Sequence, residues 1–158
     1  MTRNRKNPAP SKIFTIGFTK KNAETFFELL ELHGVTDLID VRLYNNSQLY
    51  GFAKMPDLKF FLKRISGIEY KHDSKFTPPE EILKLYQQKI ISWQEYVEEF
   101  EKTMQERRII PHILKNYSDS PEVKYCLLCA EVSAANCHRR LVAEKFTEAF
   151  SEMEIVHL

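Results

Sequence analysis

The chain has almost no net charge: 23 basic side chains stand against 22 acidic ones, leaving +1. No global field therefore recommends it to nucleic acid or to acidic membranes, and any anion binding must be local. No apolar run approaches the roughly 20 residues that a membrane span requires, and the opening stretch MTRNRKNPAPSK lacks the apolar centre of a signal peptide. Residues 1–11 are expected to form a flexible basic leader, and the cytoplasm is the expected compartment. Three cysteines, an odd set with two of them in one apolar run, do not make a secreted disulfide framework and suit a reducing compartment. Repeats and low-complexity segments are absent. What remains is the size and composition of one ordinary domain, with one core expected over residues 12–158.

Residues 12–18 (KIFTIGF) are β-branched and aromatic and read as the first, central strand. Thr19 or Asn22 can cap a helix over residues 23–33 with Phe26, Phe27, Leu29, Leu30 and Leu32 on its apolar face, and Gly34 stands where a C-terminal glycine belongs. Residues 35–42 (VTDLIDVR) follow as a second strand, and the order strand, helix, strand predicts a right-handed βαβ unit with a parallel pair. Residues 43–54 form a long polar and aromatic loop, the kind that often carries function. A helix from Pro56 through Ile65 closes at Gly67, and residues 68–72 make a short third strand. Thr77 as N-cap and Pro78 as first position open another helix. Residues 92–107 place Trp93, Tyr96, Val97, Phe100 and Met104 on an inner stripe. Residues 109–116 add a further helical turn or two, and residues 154–158 a final edge strand. This alternation predicts an α/β domain of three layers, a mostly parallel sheet flanked by helices, thicker on the side that carries residues 79–116.

The chain is organised around residues 123–150, VKYCLLCAEVSAANCHRRLVAEKFTEAF. The pattern predicts a buried strand, a turn and an amphipathic helix, with Cys129, Glu131, Cys137, His138, Arg139 and Arg140 gathered about the turn. In open α/β sheets ligands bind outside the carboxyl ends of the strands, which makes this turn the first candidate site. Cys126 and Cys129 have C-x-x-C spacing, yet residues three apart on a strand face opposite ways, so the two sulfurs cannot share a metal or a disulfide. Cys126 reads as a small buried hydrophobe. Cys129 and Glu131 share the face at the strand's end.

Cys137, near a helix N-terminus and beside arginines, is expected to have a lowered pKa and thiolate character. The same helix start, with its exposed N–H groups and arginine, attracts phosphate or carboxylate. Glu131 could serve as general base or simply fix an arginine. Zinc held by Cys129, Glu131, Cys137 and His138 is disfavoured, because adjacent Cys137 and His138 cannot easily both reach one tetrahedral ion. A protein-phosphatase loop is missing too, since Ala135 and Ala143 stand where its arginine would follow Cys129 or Cys137. Asp40-Val41-Arg42 is the second constellation, either a pair that holds loops or the source of a cation on the same edge as Arg139. Lys54, Tyr70 and His72 fall near that edge, and Trp93 is most simply core.

Thr15-Ile16-Gly17, Leu38-Ile39-Asp40-Val41-Arg42, Ser47, Phe52-Ala53-Lys54, Leu128-Cys129-Ala130-Glu131 and Cys137-His138-Arg139-Arg140-Leu141-Val142-Ala143 together resemble the uncharacterised family catalogued as domain of unknown function 488. The resemblance implies a compact α/β domain whose motifs gather at one end of the sheet, and it supplies no reaction. Leu-Ile-Asp-Val-Arg is also similar to a strand of rhodanese sulfurtransferases, but their cysteine followed by a glycine-rich turn is absent after Cys129.

The leading expectation is a hydrolase or transferase acting on a phosphorylated or nucleotide-like substrate at the carboxyl edge of the sheet. Glu131, Cys137 and Cys129 would be catalytic, and Arg42, Arg139, Asp40, Gly17, Ser47, Lys54 and His138 would bind substrate, with no metal or cofactor. The alternative is a non-enzymatic nucleic-acid- or anion-binding module that uses the same edge together with Arg3, Arg5, Lys6 and Lys12. A plainer reading keeps the motif residues as a hydrogen-bonded structural bracket.

Overall fold

The computed structural model describes residues 9–158; the leader expected over residues 1–11 falls largely outside the described residues. Five strands, β1 (Lys12–Gly17), β2 (Asp37–Asp40), β3 (Glu69–His72), β4 (Tyr125–Cys129) and β5 (Glu154–His157), form one sheet in the order β3-β2-β4-β1-β5. Every pairing is parallel. The apolar run YCLLC of β4 is buried at each position, which is what a strand covered on both faces requires. It is β4, not β1, that lies at the centre. The expected pairing of β1 with β2 is absent because β4 sits between them, matching Phe14 to Cys126 on one side and Leu38 to Cys126 on the other. The last strand is an edge strand beside β1, as its pattern predicts.

Side chains alternate across this sheet, so β1, β2, β4 and β5 each feed two cores. Ile13, Ile39, Leu127 and Cys129 pack under α4 (Trp93–Glu106), α5 (Ile109–Asn116) and α6 (His138–Ala149), with α3 (Glu80–Gln87) leaning on the same layer through Ile82 and Tyr86. On the opposite face Phe14, Ile16, Leu38, Cys126 and Leu128 pack against α1 (Ala23–Leu32) and α2 (Asp57–Phe61). The α3 to α5 layer is the thick side predicted from residues 79–116. Full burial of each such aliphatic or aromatic side chain contributes about 1.5–3 kcal/mol, which makes these two stripes, rather than helix propensity, the reason the short helices persist.

Local signals place the helix starts. The Asn22 side chain accepts from the Thr25 N–H at 2.8 Å and caps α1. Ser92 and Glu95 form a reciprocal capping box at α4. Thr77 does not cap α3: its hydroxyl donates to the Ser74 carbonyl at 2.8 Å and closes the short 3-10 turn Ser74–Phe76, so α3 begins two positions later than Pro78 suggests, at Glu80.

The connection from β1 runs through α1 on one face, and that from β4 runs through α6 on the other. Neighbouring strands whose connections part in this way leave a crevice at their carboxyl ends, the usual place for a ligand in an open α/β sheet. Gly17 and Cys129 end the two strands in register.

Candidate active site at the end of strand β4

Cys126 and Cys129 belong to opposite cores, as strand alternation demands. All three cysteines are unpaired and buried. After Cys129 the chain turns through residues 130–136 and enters α6 with Cys137 as an extended N-cap (φ −136°, ψ 136°) and His138 as the first helical residue. That change of backbone conformation turns the two adjacent side chains towards the same point. Nδ1 of His138 lies 3.7 Å from Sγ of Cys129, and the ligating atoms of Cys129, Cys137 and His138 all fall within 4.8 Å of one another. Adjacency therefore does not keep Cys137 and His138 apart, contrary to the sequence argument.

Nε2 of His138 is 2.7 Å from the Val41 carbonyl. A carbonyl only accepts, so Nε2 carries the proton, and with Nδ1 at 3.7 Å and Nε2 at 4.0 Å the Cys129 sulfur lies beside the imidazole ring, off the Nδ1 lone-pair axis. Cys129 accepts hydrogen bonds from the Cys137 thiol and from the backbone N–H groups of Ala130 and Glu131. The Cys137 bond outweighs burial and holds the Cys129 thiol below its ordinary range. The reverse holds for Cys137: donating to Cys129, together with burial, pushes its thiol up. The thiol expected to be lowered is Cys137; hydrogen bonding between the two instead lowers Cys129 and raises Cys137.

Above this cluster lies a cavity of 130 Å³. Tyr44, Tyr50, Tyr86, Trp93 and Tyr96 line it, and Cys129, Cys137 and His138 form its buried end. Trp93 and Tyr96 stack at 5.2 Å with 16° between their planes. Glu131 also lines the cavity, on its exposed side.

Of the two arginines expected to hold an anion, Arg42 borders the cavity and Arg139 does not, and both side chains are committed to partners within the protein. Arg42 is 3% exposed. It grips Asp40 through Nε at 2.8 Å and Nη2 at 2.7 Å, while Nη1 donates to the Ala53 carbonyl at 2.9 Å. The rings of Phe18 and Tyr50 lie 5.3 Å from its guanidinium carbon. Asp40 also accepts from the Tyr70 hydroxyl, and His72 Nε2 meets the Arg42 carbonyl at 2.8 Å. Arg139, 1% exposed, donates to the Glu131 and Val132 carbonyls at 2.7 and 3.3 Å and to Thr15 Oγ1 at 3.3 Å. It thereby pins the turn that carries Glu131.

Gly17 lies directly beneath that turn. Ser47 and Lys54 do not join the cavity: Ser47 caps the 3-10 segment Gln48–Ala53, and Lys54 pairs with Asp57. The loop 43–54 that supplies Tyr44 and Tyr50 was singled out, but the α3–α4 part of the aromatic wall was missed as a ligand surface. Trp93 and Tyr96 read as core stripe, and only the recurrence of Tyr86, Trp93 and Tyr96 across the α3–α4 junction hints that both helices turn rings to one place.

A sequence profile of the family described as Domain of unknown function DUF488 matches residues 22–146. The chain belongs to this family. No curated protein and no solved structure matches it. The DUF488 profile spans β2, the whole aromatic wall, β4 and most of α6, so the cavity and its cluster lie within the family's own segment. Among the described residues no helix is long and apolar enough to cross a membrane.

This DUF488 site combines a sulfur held below its ordinary pKa, an imidazole beside it and a carboxylate on the exposed side, all lining one small aromatic chamber. Such a set can attack, or hold what attacks, a group bound in the chamber and can pass a proton to or from solvent.

Proposed function

We propose that this protein is a hydrolase or transferase acting on a small, ring-bearing, nucleotide-like substrate. The ring lies among Tyr44, Tyr50, Tyr86, Trp93 and Tyr96, the reacting atom faces the Cys129, Cys137 and His138 cluster, and Glu131 exchanges the proton. The observation that carries this reading is the joining of an aromatic chamber to a sulfur and imidazole cluster at the carboxyl ends of β4 and β1. Size limits the bound part: an apolar cavity of roughly 150 Å³ holds a benzene ring, so a 130 Å³ cavity admits one ring and leaves any sugar or phosphate outside. With Arg42 and Arg139 turned inward, stacking on the rings supports recognition better than clamping of an anion. We place the protein in the cytoplasm, since three unpaired cysteines suit a reducing compartment.

The alternative of a nucleic-acid-binding module draws on Lys12 and on Arg3, Arg5 and Lys6, of which the last three lie outside the described residues. Two of the cations it needs, Arg42 and Arg139, are buried.

The test is a panel of nucleobases, nucleosides and nucleotides incubated with the purified chain, with products followed by mass spectrometry. Glu131→Gln keeps the backbone carbonyl that accepts from Arg139 and lies against Gly17. It is expected to lower turnover about 10²–10⁴-fold with an unchanged circular dichroism spectrum. Turnover that survives Glu131→Gln removes Glu131 from the reaction, and a panel without any turned-over compound defeats the enzymatic reading.

A further inference from the structure

We propose that Cys129, Cys137 and His138 are the protein ligands of a mononuclear zinc site whose fourth position opens into the aromatic cavity. This rests on the reading of that cavity as a reaction chamber and names the group that works in it.

Two cysteine sulfurs and one imidazole nitrogen are a ligand set that zinc takes in preference to harder divalent ions. Zinc bonds of about 2.3 Å to sulfur and 2.0–2.1 Å to nitrogen, set at tetrahedral angles, place the ligand atoms roughly 3.5–3.8 Å apart. The Cys129 Sγ to His138 Nδ1 distance is already 3.7 Å, and no pair in the cluster exceeds 4.8 Å. Completing the tetrahedron takes a turn of the His138 ring that brings Nδ1 to face both sulfurs, together with a sulfur shift of about an ångström.

The surroundings match as well. A metal-bound histidine characteristically donates its other N–H to a carbonyl or carboxylate, and Nε2 of His138 donates to the Val41 carbonyl at 2.7 Å, leaving Nδ1 for the metal. Two thiolates cancel the charge of one divalent ion, so the loaded site is neutral at a depth where a net charge would be costly. All three ligands line the cavity, which supplies the entry path.

Among the described residues no fourth cysteine, histidine or carboxylate joins the cluster. Three protein ligands and an open place mark a catalytic rather than a structural site, with water as the fourth ligand. Glu131, on the same cavity, would be the residue to accept a proton from a water held there, and zinc would supply the acidity that favours that transfer.

The experiment uses the full chain, reduced and free of any histidine tag. Zinc is added, excess is removed by dialysis, and metal content is read by plasma mass spectrometry and native mass spectrometry. One zinc per chain is expected, and cobalt in its place should give the thiolate charge-transfer and intense visible bands of a tetrahedral site. Cys129→Ser, Cys137→Ser and His138→Gln should each lose stoichiometric zinc, whereas Cys126→Ala, altered on the other face of the sheet, should keep it. If the ligand variants fail to fold, a mercurial titration of the wild-type thiols provides the second measurement, with zinc release expected to track modification of two thiols. Reduced, folded wild type that takes up no zinc overturns the proposal, as does zinc retained in both cysteine variants. Turnover undiminished in chelator-stripped protein overturns the metal while leaving the enzyme. Stoichiometric zinc with no turnover leaves the metal and overturns the reaction chamber.

Discussion

A Cβ placed on Gly17 would stand 1.7 Å from the carbonyl oxygen of Glu131. The last residue of β1 and the turn after β4 touch backbone to backbone, so the position of Glu131 is set by the absence of a side chain on a neighbouring strand. Gly17→Ala must displace the turn. It is expected to cost about 3 kcal/mol, the upper end for overpacking, and to loosen the Arg139 bonds to the Glu131 and Val132 carbonyls. Urea unfolding of the variant measures this, and a loss below about 0.5 kcal/mol would show that the turn yields freely.

Arg42 and Asp40 form a buried ion pair completed by Tyr70 and the Ala53 carbonyl. Removing one partner of such a pair leaves an uncompensated charge, so Arg42→Ala should cost about 3–5 kcal/mol. Arg42→Lys keeps the charge but not the two-pronged grip on the carboxylate, and should recover only part of that loss. Chemical denaturation compares the two, and equal stability of Arg42→Ala and wild type would return Arg42 to the pool of free cations.

Asp73 is 5% exposed. Burial pushes its carboxyl up, but the Tyr117 hydroxyl at 2.6 Å and His112 Nε2 at 2.8 Å outweigh it and hold the carboxyl below its ordinary value. Lys71 at 3.6 Å and the Lys75 N–H face the same carboxylate. An aspartate lowered in the folded state stabilises above its unfolded pKa of about 3.9 and loses that contribution as pH falls through the folded value. Tyr117→Phe should therefore lower stability at neutral pH by about 1.5–3 kcal/mol and move the acid-unfolding midpoint to higher pH. Stability curves from pH 2 to 7 check both shifts; an unmoved acid midpoint would sever Asp73 from acid stability.

Cys126 is fully buried between β1 and β2, and burial pushes its thiol up. A small alkylating reagent should reach it only through opening of the sheet. With ordinary global stability, labelling is expected to be roughly a thousand-fold or more slower than in denaturant. Peptide-resolved labelling measures the ratio, and fast native labelling would mean that the β1–β4–β2 seam breathes locally.

Much of the fold was legible because its signals are local. Apolar runs marked the strands, Asn22 and Ser92 marked helix starts, and Gly34 marked a helix end with its positive φ of 65°. Strand order was not legible, since nothing local in residues 125–129 records that they insert between β1 and β2. The cluster was readable as a neighbourhood, because Cys129, Cys137 and His138 flank one turn. Its geometry was not, because the convergence of Cys137 and His138 depends on the backbone break at the start of α6. Arg42 and Arg139 illustrate the same limit: composition announces a cation, while only the completed fold shows that Ala53, Glu131 and Val132 turn carbonyls towards it.

The placement of β4 has a consequence for the order of events on the ribosome. Strands β1 and β2 emerge more than eighty residues before the strand that must join them, and Phe14 and Leu38 both wait for Cys126. Such non-local parallel pairing is slow and comes late. A nascent chain short of residue 138 has the whole aromatic segment but not the full Cys129, Cys137 and His138 cluster, so the cavity is completed only after the central strand has been made.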